Sequence, residues 1–174
     1  MSRARLSKNT ATAAATAPAP QPTQPVPYPE SVDTGFLRTL VGYNARRASL
    51  AVIEVFMERM AVYRLKVVDF SVLSLVAHNP GITSRQLCAT LNVLPPNLVG
   101  LIAALERRGL IERRPHPSDG RAMGVHLTPA GIELTAQAEQ TAAQLEVDAT
   151  SRLTSAERKT LIRLLQKVYT DSEQ

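Results

Sequence analysis

The sequence predicts a mainly α chain with one small β-hairpin. Three observations carry that prediction. Apolar residues recur at i, i+3, i+4 and i+7 over long stretches, as in Leu98, Leu101, Ile102 and Leu105. Strict alternation occurs where Met123, Val125 and Leu127 interleave with Gly124, His126 and Thr128. Helix-opening signals stand ahead of the helical stretches: Thr83 with Gln86, and Thr154 with Glu157, have the spacing of a capping box. At 174 residues, 44% of them hydrophobic, the chain is long enough for one compact domain plus an arm.

Residues 1–29 are expected to be that arm. Ala11–Ala19 is of low complexity, and Pro18, Pro20, Pro22, Pro25, Pro27 and Pro29 alternate with small or polar residues. Such a segment buries too little to offset its ordering entropy and should be extended or disordered. Residues 30–174 are the expected folded domain. Residues 33–64 read as one long helix with Gly42 its only interior breaker. Its apolar stripe changes side, from Phe36, Leu37, Leu40 and Val41 to Leu50, Ile53, Met57 and Met60. A helix of this kind touches two bodies in succession. The first half is expected to meet a partner chain and the second half its own domain.

A second helix spans 69–79 with Phe70, Leu73, Val76 and Ala77, and Asn79-Pro80-Gly81 stops it. Thr83 opens a third helix that runs to Leu91. Asn92-Val93-Leu94 is a turn, and Pro95 and Pro96 suit the first turn of a fourth helix, where a missing N–H costs little. That helix runs to Arg108, with Gly109 as a left-handed cap. Strands at Leu110–Pro115 and Met123–Leu127 flank a polar tip, His116–Arg121. Thr128 and Pro129 open a fifth helix with Leu134, Ala138, Ala142 and Leu145 on one face. Leu161, Leu164, Leu165 and Val168 give the last helix its stripe.

Several function classes are excluded. One Cys supports neither a disulfide framework nor a Cys-rich zinc site, and Cys88 is expected to be a small buried residue. Aromatics at 4%, without Trp, argue against a stacking platform for single strands. His78, His116 and His126 have no metal-ligand spacing, and neither a Gly-rich phosphate loop nor a Ser/His/Asp set is present, so no enzyme, metal or cofactor is expected. No apolar run reaches membrane-spanning length and no secretory core follows Met1, so a cytoplasmic protein without a membrane partner is expected.

Two short helices joined by a three-residue turn, then a ribbon with a basic tip, make a winged helix-turn-helix. A helix fits the major groove of double-stranded DNA and a ribbon can reach the neighbouring minor groove. Arg107, Arg108, Arg113, Arg114 and Arg121 against Glu112 and Asp119 leave a charge of +3 on the phosphate-facing side. Opposite the core stripe of the fourth helix lie Pro96, Gly100, Ala103 and Arg107, flanked by Asn97 and Val99. Asn97 suits adenine, while Val99 and Ala103 can pack on thymine methyls. The expected DNA-contacting set is Arg85, Pro96, Asn97, Val99, Gly100, Arg107, Arg113, Arg114, His116, Ser118 and Arg121, with much of the recognition coming from shape and from the wing. The other reading of Gly100 and Ala103 is close packing on another helix. For Arg3, Arg5 and Lys8 in the arm, a solubilising tail is preferred over DNA contact.

Over residues 36–170 the chain resembles the MarR family of transcriptional regulators. The resemblance is carried by Leu105-Glu106-Arg107-Arg108-Gly109-Leu110-Ile111-Glu112-Arg113, by Asp119-Gly120-Arg121, and by Leu127-Thr128-Pro129-Ala130-Gly131. Asp69–Leu73 and Ile82-Thr83 also fit. The resemblance implies a homodimer held by helices at 33–64 and 129–172 around a DNA-binding lobe at 66–128. It also implies a pseudo-palindromic operator, repression, and relief by a small aromatic or phenolic ligand. Arg121 resembles the wing-tip arginine that enters the minor groove. Asp119 resembles the acid that orients wing arginines, here Arg113 or Arg121. Gly100 departs from relatives that carry a polar or basic residue there. The implied effector space lies near Tyr43, Arg46, Phe56, Met57, Tyr63 and His78. The alternative function is a winged-helix protein-interaction or dimerisation module without sequence-specific DNA binding, which the sparse polar face of the fourth helix favours.

Overall fold

The computed structural model describes residues 31–116 and 119–170, with side chains for all of these except 116 and 119–122. The chain divides into Met1–Thr34 and Gly35–Gln174. Of the first unit only residues 31–34 are described, without helix or strand, so the expected arm lies outside the described residues. The second unit contains α1 (Gly35–Arg38), α2 (Val41–Met60) with a 3-10 turn at Ala61–Tyr63, α3 (Val67–His78), β1 (Ile82–Thr83) and α4 (Ser84–Leu91). It continues through α5 (Pro95–Arg107), β2 (Ile111–His116), β3 (Asp119–Leu127), α6 (Pro129–Ala149) and α7 (Ser155–Tyr169). The strands form one antiparallel sheet in the order β1-β3-β2.

The expected single helix over 33–64 is broken at Thr39 and Leu40. Asn44 explains the break: its Nδ2 donates to the carbonyls of Arg38 (2.8 Å) and Leu40 (2.7 Å), and Thr39 Oγ1 donates to Phe36 O at 2.7 Å. Side-chain donors thus satisfy carbonyls that another helical turn would have used. The buried face also differs from expectation. α2 buries Phe56 and Met60, with Val52 and Val55 half-buried, whereas Leu50 and Met57 are exposed. α3 begins two residues early because Asp69 Oδ2 accepts from Lys66 N–H at 3.0 Å, making Asp69 an interior residue of the cap rather than the helix start.

Val72, Leu73, Val76, Leu87, Leu98, Leu105 and Val125 form the centre of the lobe built from α3, α4, α5 and the sheet. α6 packs on α2 and α3, and Arg59 pairs with Asp148 across the α2–α6 contact at 3.3 Å. The ribbon is longer than expected, with its register shift between Pro115 and His116. Pro115 has no N–H to give to the ladder, which is why the irregularity falls there.

Thr135 on α6 is 1% exposed, and its Oγ1 has no hydrogen-bond partner among the described residues. A buried hydroxyl without a partner costs stability, and valine has nearly the same shape. Thr135→Val is expected to raise the unfolding free energy by about 1 kcal/mol, read as a higher urea midpoint with an unchanged slope.

Candidate nucleic-acid interface

Thr83 opens α4 as its spacing implies: its Oγ1 accepts from Gln86 N–H (3.3 Å) and Gln86 Oε1 accepts from Thr83 N–H (2.9 Å). Asn92, in the left-handed region at φ 50°, closes the helix. After the turn the chain has bent by 115° into α5, within the range of a helix-turn-helix pair. Leu98, Ile102 and Leu105 anchor α5 in the core. Pro96, Asn97, Val99, Gly100 and Arg107 are left exposed, and Ala103 is half-buried. A Cβ at Gly100 would meet nothing within 4 Å, so among the described residues no other helix packs closely there.

The arginines divide. Arg85 and Arg107 are exposed. Arg113 donates through Nε and Nη2 to both carboxylate oxygens of Glu106, each at 2.8 Å. That bidentate pair bolts the ribbon to the end of α5. The hydrogen bond to Glu106, reinforced by its charge, holds the Arg113 pKa above the ordinary arginine value. Arg114 pairs with Glu112, two residues back on the same face of β2. Both groups are exposed, so the pair is weak and Arg114 can exchange its carboxylate for another anion. Arg108 departs from the expected phosphate-facing side. Its guanidinium donates to the carbonyls of Tyr63 (2.8 Å) and Arg64 (3.0 Å), where Arg64 adopts a left-handed conformation at φ 53°. No periodicity in the sequence signals that clasp.

Ser118 and the side chains of His116, Asp119 and Arg121 lie outside the described residues. Of the two arginines considered for Asp119, Arg113 is held by Glu106.

The six residues placed near an effector space are spread out. Phe56 is core, 7% exposed, and meets Phe70 edge-on at 5.6 Å between ring centroids. Tyr43 is half-buried, and Arg46 and Met57 are exposed on α2. Tyr63 Oη lies 2.9 Å from Thr141 Oγ1. His78 Nε2 lies 3.0 Å from Glu139 Oε1, which also accepts from Ser74 Oγ at 2.7 Å. A different space, an apolar cleft of about 570 Å³ between α2, α6 and α7, is lined by Val41, Val52, Ile53, Leu161, Ile162 and Leu165 among others, and by none of those six.

Comparisons with known proteins bear on this geometry. The model of the MarR family matches residues 65–122, from the end of the α2 turn to the ribbon. A protein of Thauera aromatica assigned as a transcriptional regulatory protein for the hcr operon is 33% identical over 135 residues, covering 76% of this chain and 81% of that protein. The transcriptional repressor CouR bound to a 23-mer DNA duplex superposes with a TM-score of 0.76 at 35% identity, covering 81% of this chain and 100% of CouR. CouR bound to p-coumaroyl-CoA gives 0.73 at 33% identity over 82% of this chain and 100% of CouR. Wild-type MarR from E. coli, in its apo form, gives 0.66 at 28% identity over 75% of this chain and 98% of that chain. No single helix among the described residues is long and apolar enough to cross a membrane.

Proposed function

The chain belongs to the MarR family of transcriptional regulators, and on that premise we propose that it acts as a homodimeric repressor of a pseudo-palindromic operator. The carrying observation is the 115° helix pair followed by the ribbon, with a small-residue face on α5 and exposed arginines on α4 and α5. α5 enters the major groove and the ribbon reaches the minor groove through Arg121. Arg85, Pro96, Asn97, Val99, Gly100, Arg107 and Arg114, with His116 and Ser118, meet bases and phosphates. Arg113 contributes by fixing the ribbon on α5. In the dimer, half-sites lie about one helical turn apart.

The homodimer is supported by what one protomer leaves uncovered. α7 buries no residue, and Leu161, Leu164, Leu165 and Val168 stand open along it. Phe36 on α1 is 75% exposed. A second copy covering these stripes satisfies both, so the dimerisation region is residues 33–64 and 129–172 and the DNA-binding lobe is residues 66–128. An effector of the small aromatic or phenolic class is supported by CouR, whose bound p-coumaroyl-CoA carries a phenolic acyl group. Such a ligand relieves repression only by binding one arrangement of the two lobes more tightly than the other. Tyr43, Arg46, Met57, Tyr63 and His78 remain its candidate contacts.

Arg121→Ala is expected to weaken operator binding about ten- to a hundredfold with an unchanged circular dichroism spectrum. Gel shifts at two salt concentrations check this, since phosphate contacts also make affinity fall steeply with salt. Unchanged affinity removes the wing from this reading. The absence of any salt-dependent shift favours the interaction-module alternative, which the scarcity of polar side chains on α5 supports.

A further inference from the structure

We propose that this regulator identifies its half-sites chiefly by the 5-methyl groups of thymine, read by Leu94 and Val99 at the leading end of α5. The proposal rests on the DNA-binding reading above and specifies what that site recognises.

Leu94 occupies the N-cap position of α5 with extended backbone (φ −66°, ψ 139°) and makes no capping hydrogen bond. Pro95 and Pro96 bring no N–H to the first turn, and Asn97 N–H donates to Leu94 O at 3.0 Å, so α5 needs no side-chain cap. Leu94 is 70% exposed. Val99 is 65% exposed and β-branched within a helix, which helix propensity disfavours. Both are apolar side chains left to water with no return inside the fold, a pattern expected where a side chain is retained for a contact.

The neighbours narrow that contact. From Leu94 to Gly100 the exposed side chains are apolar or absent except for Asn97. The first turn of a reading helix is the part that meets base edges. In the major groove only thymine presents a methyl, beside its O4 acceptor. Guanine and cytosine edges are all donors and acceptors, which an apolar side chain would strip of water without replacing. Gly100, with open space around its Cα, lets the backbone approach closely enough for short side chains to reach. The exposed Arg85 on α4 and Arg107 at the end of α5 supply phosphate anchoring, which carries no sequence information.

Duplexes bound by the full-length protein are to be selected from a randomised pool and resynthesised with deoxyuridine in place of thymidine, one position at a time. Deoxyuridine keeps pairing and every hydrogen-bonding group and removes only the methyl. Affinity is expected to fall about fourfold for each contacted methyl. Leu94→Ser is expected to leave the melting temperature unchanged, and to lose the difference between thymidine and deoxyuridine at one half-site position. Val99→Ser should lose it at another. Equal affinity for thymidine and deoxyuridine duplexes overturns the proposal while leaving DNA binding intact. So does full retention of the difference in both variants. A pool that yields no bound duplex overturns the DNA-binding reading beneath it, and the proposal with it.

Discussion

Gly131→Ala is expected to remove about 4 kcal/mol of folding stability, enough to abolish the native state of an ordinary domain or bring it close to that. Gly131 sits in the first turn of α6, and its N–H donates to Thr128 Oγ1 at 3.1 Å. A Cβ there would lie 1.9 Å from the carbonyl oxygen of Leu110 and 2.9 Å from its carbon. The obstacle is backbone and cannot rotate aside. That carbonyl also accepts from Thr128 N–H at 3.1 Å, while Thr128 Oγ1 donates to Gly109 O at 2.5 Å. Moving α6 away therefore breaks the junction between wing and helix. Keeping α6 in place requires the first turn to unwind. The better helix propensity of alanine, about 1 kcal/mol, is far too small to compensate. Gly100→Ala is the control: with nothing within 4 Å of the new Cβ it is expected to stabilise the protein by about 0.5–1 kcal/mol. Urea unfolding followed by circular dichroism measures both. A Gly131→Ala protein with the wild-type midpoint would show that the junction is not as tight as described.

If the proposed dimer forms, Leu161→Glu combined with Leu165→Glu is expected to turn it into a folded monomer and to lower operator affinity by about three orders of magnitude. The two side chains are 38% and 39% exposed and line the cleft among α2, α6 and α7, on a helix with no fully buried residue. Neither belongs to the protomer's core. In the proposed dimer, by contrast, carboxylates would have to shed water against an apolar surface without a partner. Two half-sites bound together gain from effective concentration, and a monomer forfeits that gain. Sedimentation equilibrium reports the assembly, and gel shift the affinity. A double variant that remains dimeric and binds as the wild type does would remove α7 from the interface.

The elements that were legible in the sequence are those whose signals are local. Thr83, Thr128 and Thr154 open helices as their spacing implies, and Gly109 closes α5 at φ 68°. The core stripe of α5 was equally plain, because one face alone is apolar. α2 was harder, since both of its faces carry apolar residues and periodicity does not say which turns inward; Phe56 and Met60 do. The break at Leu40 depends on one side chain, Asn44, reaching back to two carbonyls. β1 has only two residues and exists because Ile82 and Thr83 meet Val125 and Gly124, far along the chain. At the site, the charges could be counted in advance but not assigned. Glu106 holding Arg113, and Arg108 turning to Tyr63 and Arg64, depend on tertiary placement and leave no trace in spacing.

The Arg108 clasp has a mechanical side. One rigid, planar group grips two successive carbonyls where the chain leaves α2, so rotating α5 about that point strains both bonds together. The clasp therefore couples the direction of α5 to that of the chain leaving α2, as a guy-line steadies a mast.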